Sequence, residues 1–259
     1  TILEELAEHE KGDYEFWRAL SSKKEFSIHP AQVWVWKLIR RVMGLTFLAK
    51  FLESHEAKSI RHYKEYLSSV TDQELRKKIE TIMEHAEEHE RMLMSKIKEE
   101  KVEFIGSIIL GLNDGLIELS GALVGFSFAF SNHLVVATTG IITGIAASLS
   151  MASSAYMQAR HEENGKDPKR AAFYTGISYI IVVFLLVMPF IISTEKTTSL
   201  IMMGGVILTL ITGISYYTSI IFERNFKRQF LEMFTFSIGV ALISFIIGSL
   251  VKYFVGVEI

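Results

Sequence analysis

The chain has 259 residues with a net charge of −2, 49% hydrophobic and 22% charged residues. The absence of cysteine excludes disulfides, thiolate metal sites and cysteine nucleophiles, and no basic run points to nucleic acid as a partner. Charge is divided unevenly: residues 1–103 hold 20 of the 29 acidic and 18 of the 27 basic residues, and six of the eight His. The first part can therefore fold in water, whereas the rest has too little polar surface to do so. We read an all-α chain with a water-soluble domain over 1–103 and a membrane domain over 104–259.

No signal peptide is visible, and the charged sequence opening at Thr1 leads us to expect further residues before it. Three helices are predicted in the soluble part. The first covers about 1–20. The second starts near Pro30-Ala31 and runs to about Leu67, with a bend near Gly44. Its opening, Val33-Trp34-Val35-Trp36-Lys37-Leu38-Ile39-Arg40-Arg41, mixes aromatic and basic residues, which fits either the membrane–water boundary or core packing of the Trp pair. The third begins at Thr71-Asp72-Gln73-Glu74, a capping-box pattern, and runs to about Glu103. It could continue into the first membrane span as one helix, reaching on the order of 90 Å over residues 71–130. Carboxylates and His recur at helical spacing: Glu10 with Asp13, Glu53 with Glu56, Glu84 with Glu87, and His85 with His89. Residues three or four apart share a helix face, so these pairs form either ordinary solvated faces or ligands for a metal gathered from facing helices.

Five spans follow, over about 104–130, 134–158, 171–193, 199–222 and 231–255, each long enough for a hydrocarbon core of about 30 Å. Basic residues alternate by side. Lys96, Lys98 and Lys101 precede the first span; Arg160, Lys166, Lys169 and Arg170 fill the second loop; Arg224, Lys227 and Arg228 fill the fourth. The positive-inside rule then puts residues 1–103 in the cytoplasm and the C-terminus outside. Small residues are frequent in the first span (Gly106, Gly111, Gly115, Gly121, Gly125) and the second (Gly140, Gly144, Ala147, Ser150, Ser154). Such residues let helices approach closely in lipid.

The first span contains Asn113-Asp114-Gly115-Leu116-Ile117-Glu118. An ionisable group at bilayer depth is costly and faces a cavity, a partner or an ion path. Asp114, with Asn113 beside it and Glu118 one turn on, offers hard oxygen ligands suited to a divalent cation; the other reading is a buried Asp that fixes helix contacts. In the second span Met151 is either a soft thioether ligand or packing.

The membrane part resembles the vacuolar iron transporter family, through Gly111-Leu112-Asn113-Asp114-Gly115-Leu116 in the first span and Leu149-Ser150-Met151 near the cytoplasmic end of the second. The resemblance implies that Asp114 and Met151 line an iron path, in a homodimer whose pore lies between the first and second spans. It also implies export of divalent iron, sometimes manganese, in exchange for protons. Two positions depart from the family pattern: Ser154-Ala155-Tyr156 stands where relatives have Gly-Glu-Tyr, and Thr143 stands near the place of a further acidic residue. The N-terminal part resembles the ferritin-like, rubrerythrin-related domain fused ahead of such transporters. That resemblance makes Glu10, Glu53 or Glu56, and His89 metal ligands. Asp13 replaces an expected His and Ala86 an expected Glu, so Glu87, Glu90 or a dimer partner's helix would have to complete the site.

The expectation from the whole sequence is a multi-pass exporter of Fe²⁺ in a prokaryotic plasma membrane. Mn²⁺ or Zn²⁺ are alternative ions, protons the counter-ion, and the ferritin-like domain captures metal. Two other classes are a membrane-tethered di-iron ferroxidase or peroxide-consuming protein, against which Asp13 and Ala86 argue, and a metal-sensing scaffold.

Overall fold

A computed structural model describes residues 8, 11–12, 14–19, 30–44, 46–48, 50–51, 65–67, 72–96, 104–162 and 166–255. The chain divides into two compact units, Thr1–Glu99 and Glu100–Ile259. Every regular element among the described residues is helical.

In the first unit, α1 spans Pro30–Met43 and α2 spans Gln73–Lys96. Proline opens α1, where its missing N–H costs nothing. The helix does not bend at Gly44 and carry on; it ends there. Gly44 takes φ 91°, and its N–H closes on the Arg40 carbonyl at 3.1 Å. A left-handed residue after the last helical turn terminates an α-helix, and glycine adopts it without strain. Helical geometry resumes over 46–48 and 50–51.

The two Trp of α1 are two residues apart and so lie about 200° apart around the helix. Trp36 turns inward, its ring 5.4 Å from Phe51, which stacks on the buried Phe47 at 6.2 Å. Trp34 turns outward and is 64% exposed. The Trp pair is thus divided, with Trp36 packed and Trp34 exposed.

Asp72 caps α2, accepting from the N–H groups of Glu74 (2.9 Å) and Leu75 (3.4 Å). The capping-box start is therefore one residue later than the sequence pattern implied; Thr71 lies outside the described residues. An Arg76–Glu80 pair at 3.2 Å supports the exposed face of α2, while Ile79 is fully buried on the other.

The second unit contains five helices long and apolar enough to cross a membrane. The first span is composite: α3 (Ile105–Asp114), a π-helical turn (Gly115–Leu119) and α4 (Ser120–Ala129). The others are α5 (His133–His161), α6 (Pro168–Ile192), α7 (Lys196–Ile221) and α8 (Phe226–Val255). They exceed the apolar runs by a few residues because polar caps add turns beyond the apolar stretch. Asn132 caps α5 through the Leu134 N–H (2.8 Å), and Asp167 caps α6 through the Lys169 N–H (2.9 Å), with Pro168 at the first helical position.

The stretch that would join α2 to the first span as one helix, residues 97–103, lies outside the described residues. Phe104 leaves helical geometry (φ −104°, ψ 9°) immediately before α3 starts.

The third span, α6, is the most buried of the five and α8 the least. α6 packs on α3, the π-turn, α5 and α7, while α4 packs on α8. Leu116, Leu119, Leu123, Val136, Val182, Leu186, Phe190 and Ile211 form the apolar centre. Small residues set the closest crossings. A Cβ on Gly111 would collide with the Thr175 carbonyl, and one on Gly248 with the Gly125 carbonyl. Gly121, Gly140 and Gly144 instead face side chains, those of Val240, Leu123 and Val183. Gly106 departs from the expectation, with open space beside it.

Candidate membrane carboxylate site

The first span changes its winding immediately after the Asn113-Asp114 pair. A π-turn closes i→i+5 hydrogen bonds instead of i→i+4, is rare, and occurs mostly as single turns inside α-helices, frequently at functional sites. Here it covers Gly115–Leu119 and so contains Glu118. Asp114 ends α3 and Glu118 sits four residues on, so the wide turn sets the angle between the two carboxylates.

α6 holds this segment in place. The first and third spans run parallel: Thr175 meets Ser107 and Gly111, and Tyr179 meets Gly115 and Glu118. Thr175 Oγ1 donates to the Ser107 carbonyl at 3.1 Å. The Tyr179 ring lies 3.4 Å from where a Gly115 Cβ would stand, with Val182 at 3.2 Å. Glycine at 115 therefore lets the ring lie against the backbone of the π-turn. From there Tyr179 Oη donates to Glu118 Oε2 at 2.9 Å. A fully buried tyrosine needs an acceptor for its hydroxyl, and Glu118 provides it.

The three polar residues of this segment differ in exposure. Asn113 and Asp114 are half-buried, and Glu118 is exposed on its outer side although it lies within an apolar span. Asn113 Oδ1 is buried without a hydrogen-bond partner. Buried polar atoms nearly always have partners, so this oxygen is free to accept from or ligate something further. Glu232, the acidic residue near the start of α8, is engaged by Arg228 at 2.9 Å.

Met151 lies half-buried on α5, packed against the apolar centre. Next to it Ser148 is buried, bonding back to the Ile145 carbonyl at 2.8 Å, while Leu149, Ser150, Ser153 and Ser154 face outward.

The soluble-domain candidates divide by position. Glu87, His89 and Glu90 lie on the last turns of α2. Glu10, Asp13, Glu53 and Glu56 lie outside the described residues. Among the described residues, no group of three or more His, Asp or Glu is gathered where it could hold one metal ion.

Sequence reasoning missed Tyr179 and the π-turn. Tyr179 gives one signal: a phenol in the middle of a 25-residue apolar helix needs a partner, and Asp114 and Glu118 are the carboxylates at comparable depth. The π-turn leaves no mark in the apolar pattern.

Fold and site together define a multi-pass membrane protein with paired carboxylates inside its first span. A family model described as the VIT family matches residues 105–167, covering the first two spans and the loop after them. The match supports a membrane domain of the vacuolar iron transporter family, and with it a membrane metal transporter of the iron and manganese class. No curated protein matches the chain.

Proposed function

We propose that this protein exports divalent iron, with manganese as a second substrate, in exchange for protons. The observation that carries the reading is the carboxylate pair Asp114 and Glu118 on either side of the entry to a π-turn, inside the segment matched by the VIT family. Hard oxygen donors suit Fe²⁺ and Mn²⁺. A carboxylate holds either a proton or a cation, so protonation of Asp114 releases the ion on the outer side. Asn113 Oδ1 supplies a neutral oxygen to the same ion, and Met151 passes the ion from the cytoplasmic side.

Glu118 has an outer side exposed within the span, and α5 presents serines outward. A polar group facing hydrocarbon is unfavourable. Both features favour a homodimer in which two first spans and two second spans enclose the path. The soluble unit, on the cytoplasmic side by the positive-inside rule, collects metal for the entrance, with Glu10, Asp13, Glu53, Glu56, Glu87, His89 and Glu90 as its candidate ligands.

The test is flux of Fe²⁺, Mn²⁺ and Zn²⁺ into proteoliposomes with interior pH recorded together. The purified chain should move Fe²⁺ and Mn²⁺ with opposing proton movement, and Asp114→Ala should abolish both signals. Normal flux by that variant would remove the reading.

A further inference from the structure

The outward face of α1 carries a pattern that neither the core of the first unit nor metal transport explains. α1 is attached to its unit by a narrow stripe, with Trp36 and Ile39 half-buried. At 100° per residue most of the remaining described surface falls into two adjacent strips, with the exposed Val33 lying among the basic residues. Trp34, Val35 and Leu38 form an apolar strip, each at least 44% exposed. Lys37, Arg40 and Arg41 form a basic strip beside it, also exposed. The helix contains no acidic residue. α2 differs, presenting both charge signs and pairing Arg76 with Glu80.

We propose that this face of α1 docks on an anionic lipid surface, with Trp34 and Leu38 entering the headgroup–acyl boundary and Lys37, Arg40 and Arg41 lying among the headgroups. An aromatic and aliphatic strip beside a cationic one is the arrangement that holds a helix in the plane of a membrane interface. Trp places an apolar body and a polar N–H at that boundary. Charge complementarity selects the occupant. A second copy meeting this patch across a two-fold axis would bring like charges together, whereas anionic headgroups neutralise them. The five spans tether the unit to a bilayer, so the surface is always at high effective concentration. The inference needs a bilayer-anchored chain and does not depend on which ion is carried.

The Cys-free sequence makes the test direct. Leu38→Cys carries a nitroxide label in the full chain, reconstituted into phosphatidylcholine vesicles with or without phosphatidylglycerol. Glu74→Cys on the exposed face of α2 gives the water reference, and Ile201→Cys, outward on α7, the lipid reference. With phosphatidylglycerol present, the label at 38 should collide with oxygen in preference to a water-soluble nickel chelate, as at 201. Replacing Lys37, Arg40 and Arg41 by Gln should return it to the profile at 74. A water-like profile at 38 in phosphatidylglycerol vesicles would overturn the proposal. So would dipolar broadening that vanishes on dilution with unlabelled chain, since a second copy would then cover the face. A label-free measurement guards against damage from the label: brominated phosphatidylglycerol should quench tryptophan emission, and Trp34→Phe should remove the quenched fraction. Quenching unchanged in Trp34→Phe would likewise end the proposal.

Discussion

Tyr179 and Glu118 share one hydrogen bond of 2.9 Å between a fully buried phenol and a carboxylate exposed on its far side. Removing the hydroxyl leaves the ring against Gly115 and takes away only the donor. Tyr179→Phe should therefore cost about 1.5–3 kcal/mol of stability, the range for a hydrogen bond to a charged group. Its effect on transport should be larger than that loss implies, because an untethered Glu118 samples several rotamers and no longer holds one geometry beside Asp114. We expect a several-fold fall in Fe²⁺ flux with the thermal transition shifted by only a few degrees. Equal flux in the two proteins would reduce Tyr179 to packing. Asp114 was legible in the sequence because a carboxylate inside an apolar run carries its cost with it. Tyr179 was not, because its meaning lies in a partner 61 residues away that only the parallel packing of two spans brings within reach.

The elements were legible in proportion to how far local physics decides them. Span length and hydropathy fix five membrane helices, and all five form where the apolar runs predict. The breaks were harder to read. Gly44 ends α1 where the sequence suggested only a bend, since glycine permits both a kink and a left-handed stop and the following turns decide between them. The π-turn was invisible, because five residues wound as π or as α have nearly the same apolar pattern. Helix contacts show the same division. The sequence marks glycines as sites of close approach, yet only packing says which ones are used. Gly111 faces the backbone of α6 and Gly106 faces open space. Gly111→Leu should force the first span off the third and abolish the yield of monodisperse protein in detergent, whereas Gly106→Leu should leave it within the wild-type range. Size-exclusion profiles of the two variants decide this, and equal profiles would mean that the first and third spans can separate without consequence.

At the scale of the whole molecule, the polar groups that face outward from the membrane unit need a cover. Ser153 already donates to the Leu149 carbonyl at 2.9 Å, so the case for a cover on α5 rests on its small residues, which favour contact with another helix in lipid. α5 presents Ser150, Ser153 and Ser154 outward beside the half-buried Met151, whereas the exposed part of α6 around Phe184 is large and apolar, as a lipid-facing surface should be. Two copies meeting along α5 and the first span would cover the serines and enclose Glu118, leaving Phe184 in lipid. The absence of native cysteine allows a direct check. Ser150→Cys oxidised in native membranes should give a band at twice the chain mass, and reduction should remove it. Phe184→Cys, equally exposed in one copy, should stay monomeric under the same treatment. Cross-linking at both positions would indicate random collision. Cross-linking at 184 alone would place the dimer on the opposite side and leave the exposed side of Glu118 outside any shared path, which would also undo the transport reading built on it.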